Sequence, residues 1–412
     1  MYQVMNKNGL IAALDIGTSK VCCVLAKPES DGTLSIAGAG MHQNKGVSNG
    51  RISDLEKTVA CIGAAVDAAE ATGGAIEKVF SNALIREIDS FLIKEELVLP
   101  TGDVGEEDLL HLRTLAQNKI VSDSREILHC FPVSYSLDDN KSLNDPRGLC
   151  GERLGIILHT ILCEKNPLRN EYKAIERCHL RCAGTVAAPY ATGLACLSEE
   201  ERTQGAAVID LGEGSTGIGV FKDSQLIYAT NLPVSCSHIT KDIMFGLNTS
   251  FAQAERLKLL KGAAFSPQSY AFEEITVTPP GDDFPSYRTR RDLTEIIIPR
   301  TVEIFEHVQK TLKKQNLDKT CHNFVLTGGG SQLQSIRELA SETLKANVRL
   351  GVPVGINDKS RLIPRAAYPL YMGSFGLLKY AAQSQTRTAL KRDFANGQNK
   401  FLRFFQWFLD NC

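Results

Sequence analysis

VIDLGEGSTGIGVF, residues 208–221, decides how the rest of this 412-residue chain is read. An apolar run, Ala206–Ile209, ends in Asp210. Gly212, Gly214, Ser215, Thr216 and Gly217 follow, and then a second apolar run. The pattern predicts a β-hairpin whose tip has little side-chain bulk and many backbone N–H groups, which is what a bound phosphate needs. The carboxylate at the end of the first strand would stand beside those phosphates. Two anions so placed tolerate each other through a cation such as Mg²⁺. The same pattern recurs near the N-terminus in LIAALDIGTSKVCCVL, Leu10–Leu25: apolar strand, Asp15, Gly17, Thr18, apolar strand. Two such hairpins half a chain apart point to a duplicated α/β fold whose halves close on one nucleotide. One hairpin alone would be read as an ordinary turn; the pair carries the expectation.

The length suits two lobes with room for an inserted unit. A formal net charge of −1 gives no whole-chain footprint for nucleic acid. The 12 cysteines are scattered, several in apolar runs (Cys22, Cys23, Cys163), and no CxxC pair occurs, so they are read as buried thiols in a reducing compartment. Cys178 and Cys182, with His179 between them, lack the second pair that a zinc site needs. MYQVMNKNG at the start has no apolar signal core, and no run approaches the roughly 20 apolar residues of a spanning helix. The expectation is a soluble protein, or one that sits on a membrane surface.

Along the chain, Leu34–Ala39 is a third strand. Asp54–Thr72 has apolar residues at helical spacing, with Ser53 or Asp54 as its cap, and Gly73-Gly74 ends it. Val79–Ala83 is a short strand. From Leu84 to Glu164 strand-like runs (Glu96–Leu99, Glu126–Leu137, Ile156–Cys163) surround one helix, Glu106–Lys119, in an inserted α+β unit. Its turn-rich connection is Asp138–Gly151. Asn166–Arg181 and Ser235–Lys261 read as largely helical. Asp292–Lys314 is a long helix in which Pro299 should introduce a kink or mark a boundary. Phe324–Leu326 is a buried strand running into Thr327-Gly328-Gly329-Gly330. A helix from Gln334 would put those glycines at its N-terminus, facing a phosphate or nucleoside. Leu370–Ala382 is a last helix, and the polar, aperiodic stretch after it reads as a linker.

The linker leads to FLRFFQWFL, Phe401–Leu409, with seven apolar residues in nine. At about 100° per residue, Phe401, Leu402, Phe404, Phe405, Trp407, Phe408 and Leu409 form one broad apolar arc. Gln406, Asp410 and Arg403 lie opposite, and Lys400 and Arg403 are basic near its start. Such a helix is too short to span a bilayer and suits its interface. Several apolar side chains buried at roughly 1.5–3 kcal/mol each are offset by ordering, so one copy binds weakly and an array strongly. The alternative is a helix docked on the protein's own core, which the linker disfavours.

Together these residues resemble FtsA, the actin-like bacterial cell-division family. ILHCFPVSYSLDD and NDPRGLCGERL (127–139, 144–154) are similar to the subdomain peculiar to that family, called 1C. ITKDIMFGLNTSFAQAERLKLLKGAA (239–264) is similar to its subdomain 2B, IIIPRTVEIFEHV (296–308) to its Pro-Arg-x-x-Glu stretch, and VLTGGGSQLQSI (325–336) to its adenosine motif. The resemblance implies an actin-like (RNase H-like) two-lobed ATPase fold with an inserted 1C subdomain and a C-terminal amphipathic helix. The divisions are 1A (1–83, 166–198, 356–382), 1C (84–165), 2A (199–228, 306–355), 2B (229–305), a linker (383–399) and a membrane-targeting helix (400–412). It implies a protein that forms filaments on the cytoplasmic face of the inner membrane at the division site, through anionic lipid. There it would hold the C-terminal peptide of FtsZ and recruit later division proteins. ATP would meet Gly17, Thr18, Lys20, Gly212, Gly214, Ser215 and Thr216 at its phosphates, Glu255 and Lys258 at the ribose, and Gly328, Gly329 and Gly330 at the adenosine. Asp15 and Asp210 would hold Mg²⁺ through water. The FtsZ peptide is placed near Arg300 and Glu303, which read equally as a solvated helix face.

Departures from the family pattern bear on chemistry. Glu213 stands where the second hairpin has glycine, and Gly217 where it has an acid. Ala188 replaces the glutamate of a Glu-Pro-Leu-Ala segment, Ser235-Cys236 a Gly-Gly pair, and Leu84-Ile85 a Ser-Gly pair. Two groups that could position an attacking water are thereby missing, so the expectation is nucleotide binding with weak or absent hydrolysis. A pilus or secretion scaffold of the same fold, and a superfamily kinase, are the other readings. A kinase has no use for a detachable amphipathic tail.

Overall fold

Two sheets with the same strand plan are built from separate stretches of the chain. The computed structural model describes residues 5–6, 8–100, 102–120, 124–265, 271–281 and 284–395. In the first lobe, β1 (Ile11–Ile16), β2 (Lys20–Pro28) and β3 (Leu34–Gln43) form an antiparallel meander. A small hairpin, β4 (Val47–Ser48) and β5 (Arg51–Ile52), leads to α1 (Leu55–Gly73). The Asp54 carboxylate caps this helix by accepting the Lys57 N–H at 3.0 Å. Strand β6 (Lys78–Asn82) then returns parallel to β1.

The inserted unit comprises β7 (Ile88–Val98), α2 (Glu106–Asn118), β8 (Arg125–Leu137), β9 (Asn140–Leu143) and β10 (Arg153–Glu164), with sheet order β7-β10-β8-β9. It has its own core around Leu112, Leu154 and Ile156. It also touches the second lobe: the Ser90 hydroxyl, 2.7 Å from His159 Nε2, accepts the Ala229 N–H at 3.1 Å.

After α3 (Lys165–Arg177), β11 (Arg181–Val186) completes the far edge of the first sheet, and α4 (Ala188–Cys196) and α5 (Glu199–Gln204) cross to the second lobe. There β12 (Ala206–Leu211), β13 (Thr216–Lys222) and β14 (Gln225–Leu232) repeat the antiparallel meander. Then come α6 (Cys236–Gly246), α7 (Phe251–Lys261), the two-stranded β15 (Glu274–Val277) and β16 (Ser286–Thr289), and α8 (Arg290–Lys314). Strand β17 (Asn323–Thr327) pairs parallel with β12. Beyond it lie α9 (Ile336–Leu344) and β18 (Asn347–Leu350), which pairs parallel with β17. Among the described residues the two orders, β11-β6-β1-β2-β3 and β18-β17-β12-β13-β14, correspond strand for strand. The first sheet gains β19 (Ile356–Asn357) beside β3.

The last helix, α10 (Tyr368–Ala395), returns to the first lobe and packs on α4. The approach is close: a β-carbon on Gly376 would come within 1.8 Å of the Ala191 carbonyl oxygen. One hydrophobic cluster, containing Ile11, Val208, Phe221 and Phe375, joins the lobes at this crossing.

Several local expectations change. The linker expected from residue 383 does not begin there, because α10 continues to Ala395. Residues 383–395 contain no glycine or proline and are rich in the helix formers Gln, Ala, Leu, Lys and Arg. Helix α8 runs as one element through Pro299, so the boundary alternative falls; Pro299 is exposed, and the carbonyl left without a donor faces water. The helix after the glycine triplet starts at Ile336, behind a left-handed Ser335 (φ 60°). Gly329–Gln332 instead form a separate 3-10 turn, so the helix-dipole argument for Gly328–Gly330 does not apply. Lys400, Phe401, Leu402, Phe404, Phe405, Trp407, Phe408 and Leu409 lie outside the described residues. Among the described residues no helix is long and apolar enough to cross a membrane.

Candidate functional site

The tips of the β1–β2 and β12–β13 hairpins meet at the mouth of a cleft of about 460 Å³. Gly214 packs so closely on Thr18 that a β-carbon there would lie 2.2 Å from the Thr18 hydroxyl oxygen. That hydroxyl accepts the Gly50 N–H at 3.2 Å. The cleft is bordered by Asp15, Gly17, Thr18 and Lys20 of the first lobe and by Asp210, Gly212, Gly214 and Ser215 of the second. Glu255, Lys258, Gly328, Gly329 and Gly330 border it too. The structure therefore brings together all but one of the residues expected at the nucleotide.

The exception is Thr216. Strand alternation turns it away from its cleft-lining neighbours Ser215 and Gly217. It is fully buried, and its hydroxyl donates to the Val234 carbonyl at 2.8 Å. Its role is to tie the second hairpin to the segment before α6.

Electrostatics concentrate at the two strand ends. Burial pushes the Asp210 carboxyl up to about 6, with Lys20 pulling it down and Asp15 pushing it up. Asp15 is raised for the same first reason, against the pull of Lys20. Burial works against the Lys20 ammonium. Cys22, Asp15, Asp210 and Glu213 outweigh it, so the net shift is upward and the lysine stays charged between the aspartates. Asp15 and Asp210 are thus two partly buried carboxyls that share one cation, Lys20. Glycines make room for them: Gly328, at φ 80°, has no β-carbon where one would stand 2.2 Å from the Asp210 carboxylate.

On the far side, α7 sets Glu255 and Lys258 three residues apart on one face, 2.7 Å from each other. Thr240 of α6 donates to Glu255 at 2.5 Å, and Lys258 donates to the Thr240 hydroxyl at 2.8 Å. Beside them is a narrower, mostly apolar recess of about 90 Å³, lined by Leu211, Ile239, Leu259, Phe305, Leu333 and Gly330 among others. Cys236 borders both spaces, and burial pushes its thiol up to about 11.

Arg300 and Glu303, expected to meet a peptide, are engaged with each other and with α6. Arg300 donates to both Asp242 oxygens, at 2.6 and 3.1 Å, and also contacts Glu303. Arg300 fastens α8 to α6, and Glu303 braces it from within α8.

Some contributors escaped the sequence reading. Asn82 accepts the Ile16 N–H at 2.8 Å and so fixes the strand end that carries Asp15. Asn231 donates to the Ile85 carbonyl at 2.8 Å, which joins the lobes along the cleft wall. Gly373 of α10 makes room for Asp15. A polar asparagine closing an apolar strand, as at Asn82, is the one local signal among them.

Duplicated sheets, a cleft between paired Asp–x–Gly hairpins and an inserted unit define an actin-like two-lobed protein. A family model described as "Cell division protein FtsA" matches residues 207–370, and one described as "SHS2 domain inserted in FTSA" matches residues 86–162. The chain belongs to the FtsA family of cell division proteins. The cell division protein FtsA of Rhizobium meliloti (strain 1021) is 31% identical over 421 residues, covering 97% of this chain and 94% of that protein. That of Escherichia coli (strain K12) is 30% identical over 390 residues, 91% of each chain. Among solved structures, the PilM-PilN type IV pilus biogenesis complex matches with a TM-score of 0.65 at 16% identity, over 90% of this chain and 98% of that one. MreB 5 of Spiroplasma citri bound to AMPPNP matches with a TM-score of 0.52 at 11% identity, over 95% and 100%. These two share the fold.

Proposed function

We propose that this chain binds ATP with Mg²⁺ in the interlobe cleft and forms filaments on the inner face of the cytoplasmic membrane at the division site. There it anchors FtsZ filaments through their C-terminal peptide and recruits later division proteins. The observation that carries the nucleotide reading is the convergence of Asp15, Lys20 and Asp210 beneath two glycine-rich hairpin tips. Support comes from the fold neighbour MreB 5, whose structure holds AMPPNP. Asp15 and Asp210 would hold the metal through water, and the metal would neutralise phosphate charge. Lys20 and the hairpin N–H groups would bind the phosphates. Glu255 and Lys258 would take the ribose, and the apolar recess beyond them the base. Ala188 at the start of α4 offers no acid or amide to orient a water, in keeping with weak or absent hydrolysis.

The membrane reading rests on the amphipathic pattern of residues 400–412. FtsA-family relatives across nearly the whole chain favour it over a pilus scaffold, for which fold likeness alone speaks. Co-sedimentation with anionic liposomes, with and without Mg·ATP and at several protein concentrations, tests it when the pellets are imaged in negative stain. Steep, concentration-dependent binding with filaments on the lipid is expected, and lost on deletion of 400–412 or in Trp407→Glu. Binding unchanged by either alteration would remove the tail from the membrane, and soluble monomers under every condition would sink the filament reading.

A further inference from the structure

Strand β14 is an edge of the second sheet, and strands β7, β8 and β10 of the inserted unit pack against it. Hydrogen bonds cross this seam at two places. The fully buried Ala229 donates its N–H to Ser90 of β7 at 3.1 Å, and Asn231 donates to the Ile85 carbonyl at 2.8 Å. Ser90 is held in turn by His159 of β10, whose Nε2 lies 2.7 Å from the hydroxyl. Burial pushes that imidazole down to about 4, so the ring is neutral. Its Nδ1 is buried too, with the Leu226 carbonyl of β14 close by but not in hydrogen-bonding geometry. A buried polar atom without a partner makes the seam less stable than a sealed core, and easier to part.

The two sides of the seam belong to different lobes. The inserted unit leaves the first lobe through Leu84, whose N–H is held by Glu171 at 2.8 Å, and returns to it where β10 runs into α3. His129 of β8 fastens it there as well, accepting the Ala187 N–H just before α4 at 2.9 Å. Widening the cleft would therefore carry β14 away from the unit. One end of the seam also reaches the cleft, which Ile85 and Asn231 border, Asn231 beside Gly217. We propose that docking of the inserted unit on β14 and closure of the lobes on a nucleotide are one equilibrium, with Ser90 as its latch. This rests on the nucleotide reading given above. A ligand that holds both hairpin tips favours the closed lobes, and with them the docked unit. By linkage, loosening the latch weakens the ligand, although Ser90 does not border the cleft.

The test joins two measurements on the full-length protein. Hydrogen exchange, followed by mass spectrometry with and without Mg·ADP, reads the seam in wild type and needs no variant. Calorimetric titration of Mg·ADP then compares wild type with Ser90→Ala and Ser90→Thr, and thermal melts check that each variant is folded. In wild type, Mg·ADP should slow exchange in peptides from both β7 and β14. Ser90→Ala leaves the Ala229 N–H without its acceptor and should bind Mg·ADP about fivefold more weakly. Ser90→Thr keeps a hydroxyl and should restore the affinity. Ser90→Ala with wild-type affinity would overturn the latch, and equal weakening in both variants would reduce Ser90 to packing. Mg·ADP that binds wild type without slowing exchange on both sides of the seam would overturn the shared equilibrium while leaving the nucleotide reading intact. Wild type that binds neither Mg·ADP nor Mg·ATP would remove both.

Discussion

Gly373 passes so close to Asp15 that a β-carbon on it would stand 2.5 Å from one carboxylate oxygen and 3.0 Å from the carboxyl carbon. The helix that closes the first lobe is thereby also part of the wall of the cleft. Gly373→Ala separates local from tertiary effects. Within a helix the change favours folding by about 1 kcal/mol, yet here the Asp15 carboxylate must move to admit the methyl group. The variant should melt no lower than wild type and bind Mg·ATP at least about tenfold more weakly. Equal affinity in a calorimetric titration would mean that Asp15 has a second productive position.

Asp210→Ala removes the other strand-end carboxylate. If Asp210 holds the metal as proposed, Mg·ATP affinity should fall and the gain in affinity on adding Mg²⁺ should shrink. An unaltered dissociation constant would take Asp210 out of the site. Because desolvation raises the partly buried Asp210 carboxyl to about 6, its loss should not destabilise the nucleotide-free fold. A melting temperature well below that of wild type would contradict that account of the site.

Arg300 and Asp242 hold α8 to α6 through two hydrogen bonds, with both side chains about one-third exposed. A bidentate pair of that exposure contributes about 1 kcal/mol. A double-mutant cycle on Arg300→Ala and Asp242→Ala in urea should return a coupling of that size. If Arg300 also serves a partner peptide, Arg300→Ala should weaken FtsZ-peptide binding more than Asp242→Ala does. Equal effects on the peptide would reduce Arg300 to a clasp.

The hairpins were legible because their signal is local: an apolar run, an aspartate and glycines at fixed spacing, twice. Their symmetry about the cleft followed from duplication. Strand β11 was hidden because the helical pattern before it was carried on to Arg181, and its own residues, Arg-Cys-Ala-Gly-Thr-Val, are mostly only half buried. Helix α10 was cut short because polar composition was read as a linker, although helix formers such as Gln, Lys and Arg need no apolar face. Asn82, Asn231 and Gly373 act through partners tens to hundreds of residues away, and nothing within a short window marks such contacts. Thr216 was misplaced by treating a strand residue as part of a loop, where alternation does not apply.

Glu171, on α3, is a fully buried carboxyl behind the cleft wall, where it accepts the Leu84 N–H at 2.8 Å. Burial pushes it up to about 7, against the hydrogen bonds from Leu84 and Ser81, and the charge of Asp15 adds to the rise. A carboxyl raised in the folded state keeps its proton there while the unfolded chain has released it. Its contribution to stability therefore falls as pH rises from the ordinary glutamate value towards about 7, and is at its worst above that. Glu171→Gln keeps an acceptor for Leu84 and abolishes the ionisation. The variant should match wild type at pH 4, gain progressively through pH 5 and 6, and be more stable by up to about 3 kcal/mol at pH 8. Denaturant titrations of the nucleotide-free protein at four pH values measure the difference directly. A gain that is constant with pH would mean that the glutamate is charged at all of them, and a loss at pH 8 would mean that the buried charge is compensated by its surroundings.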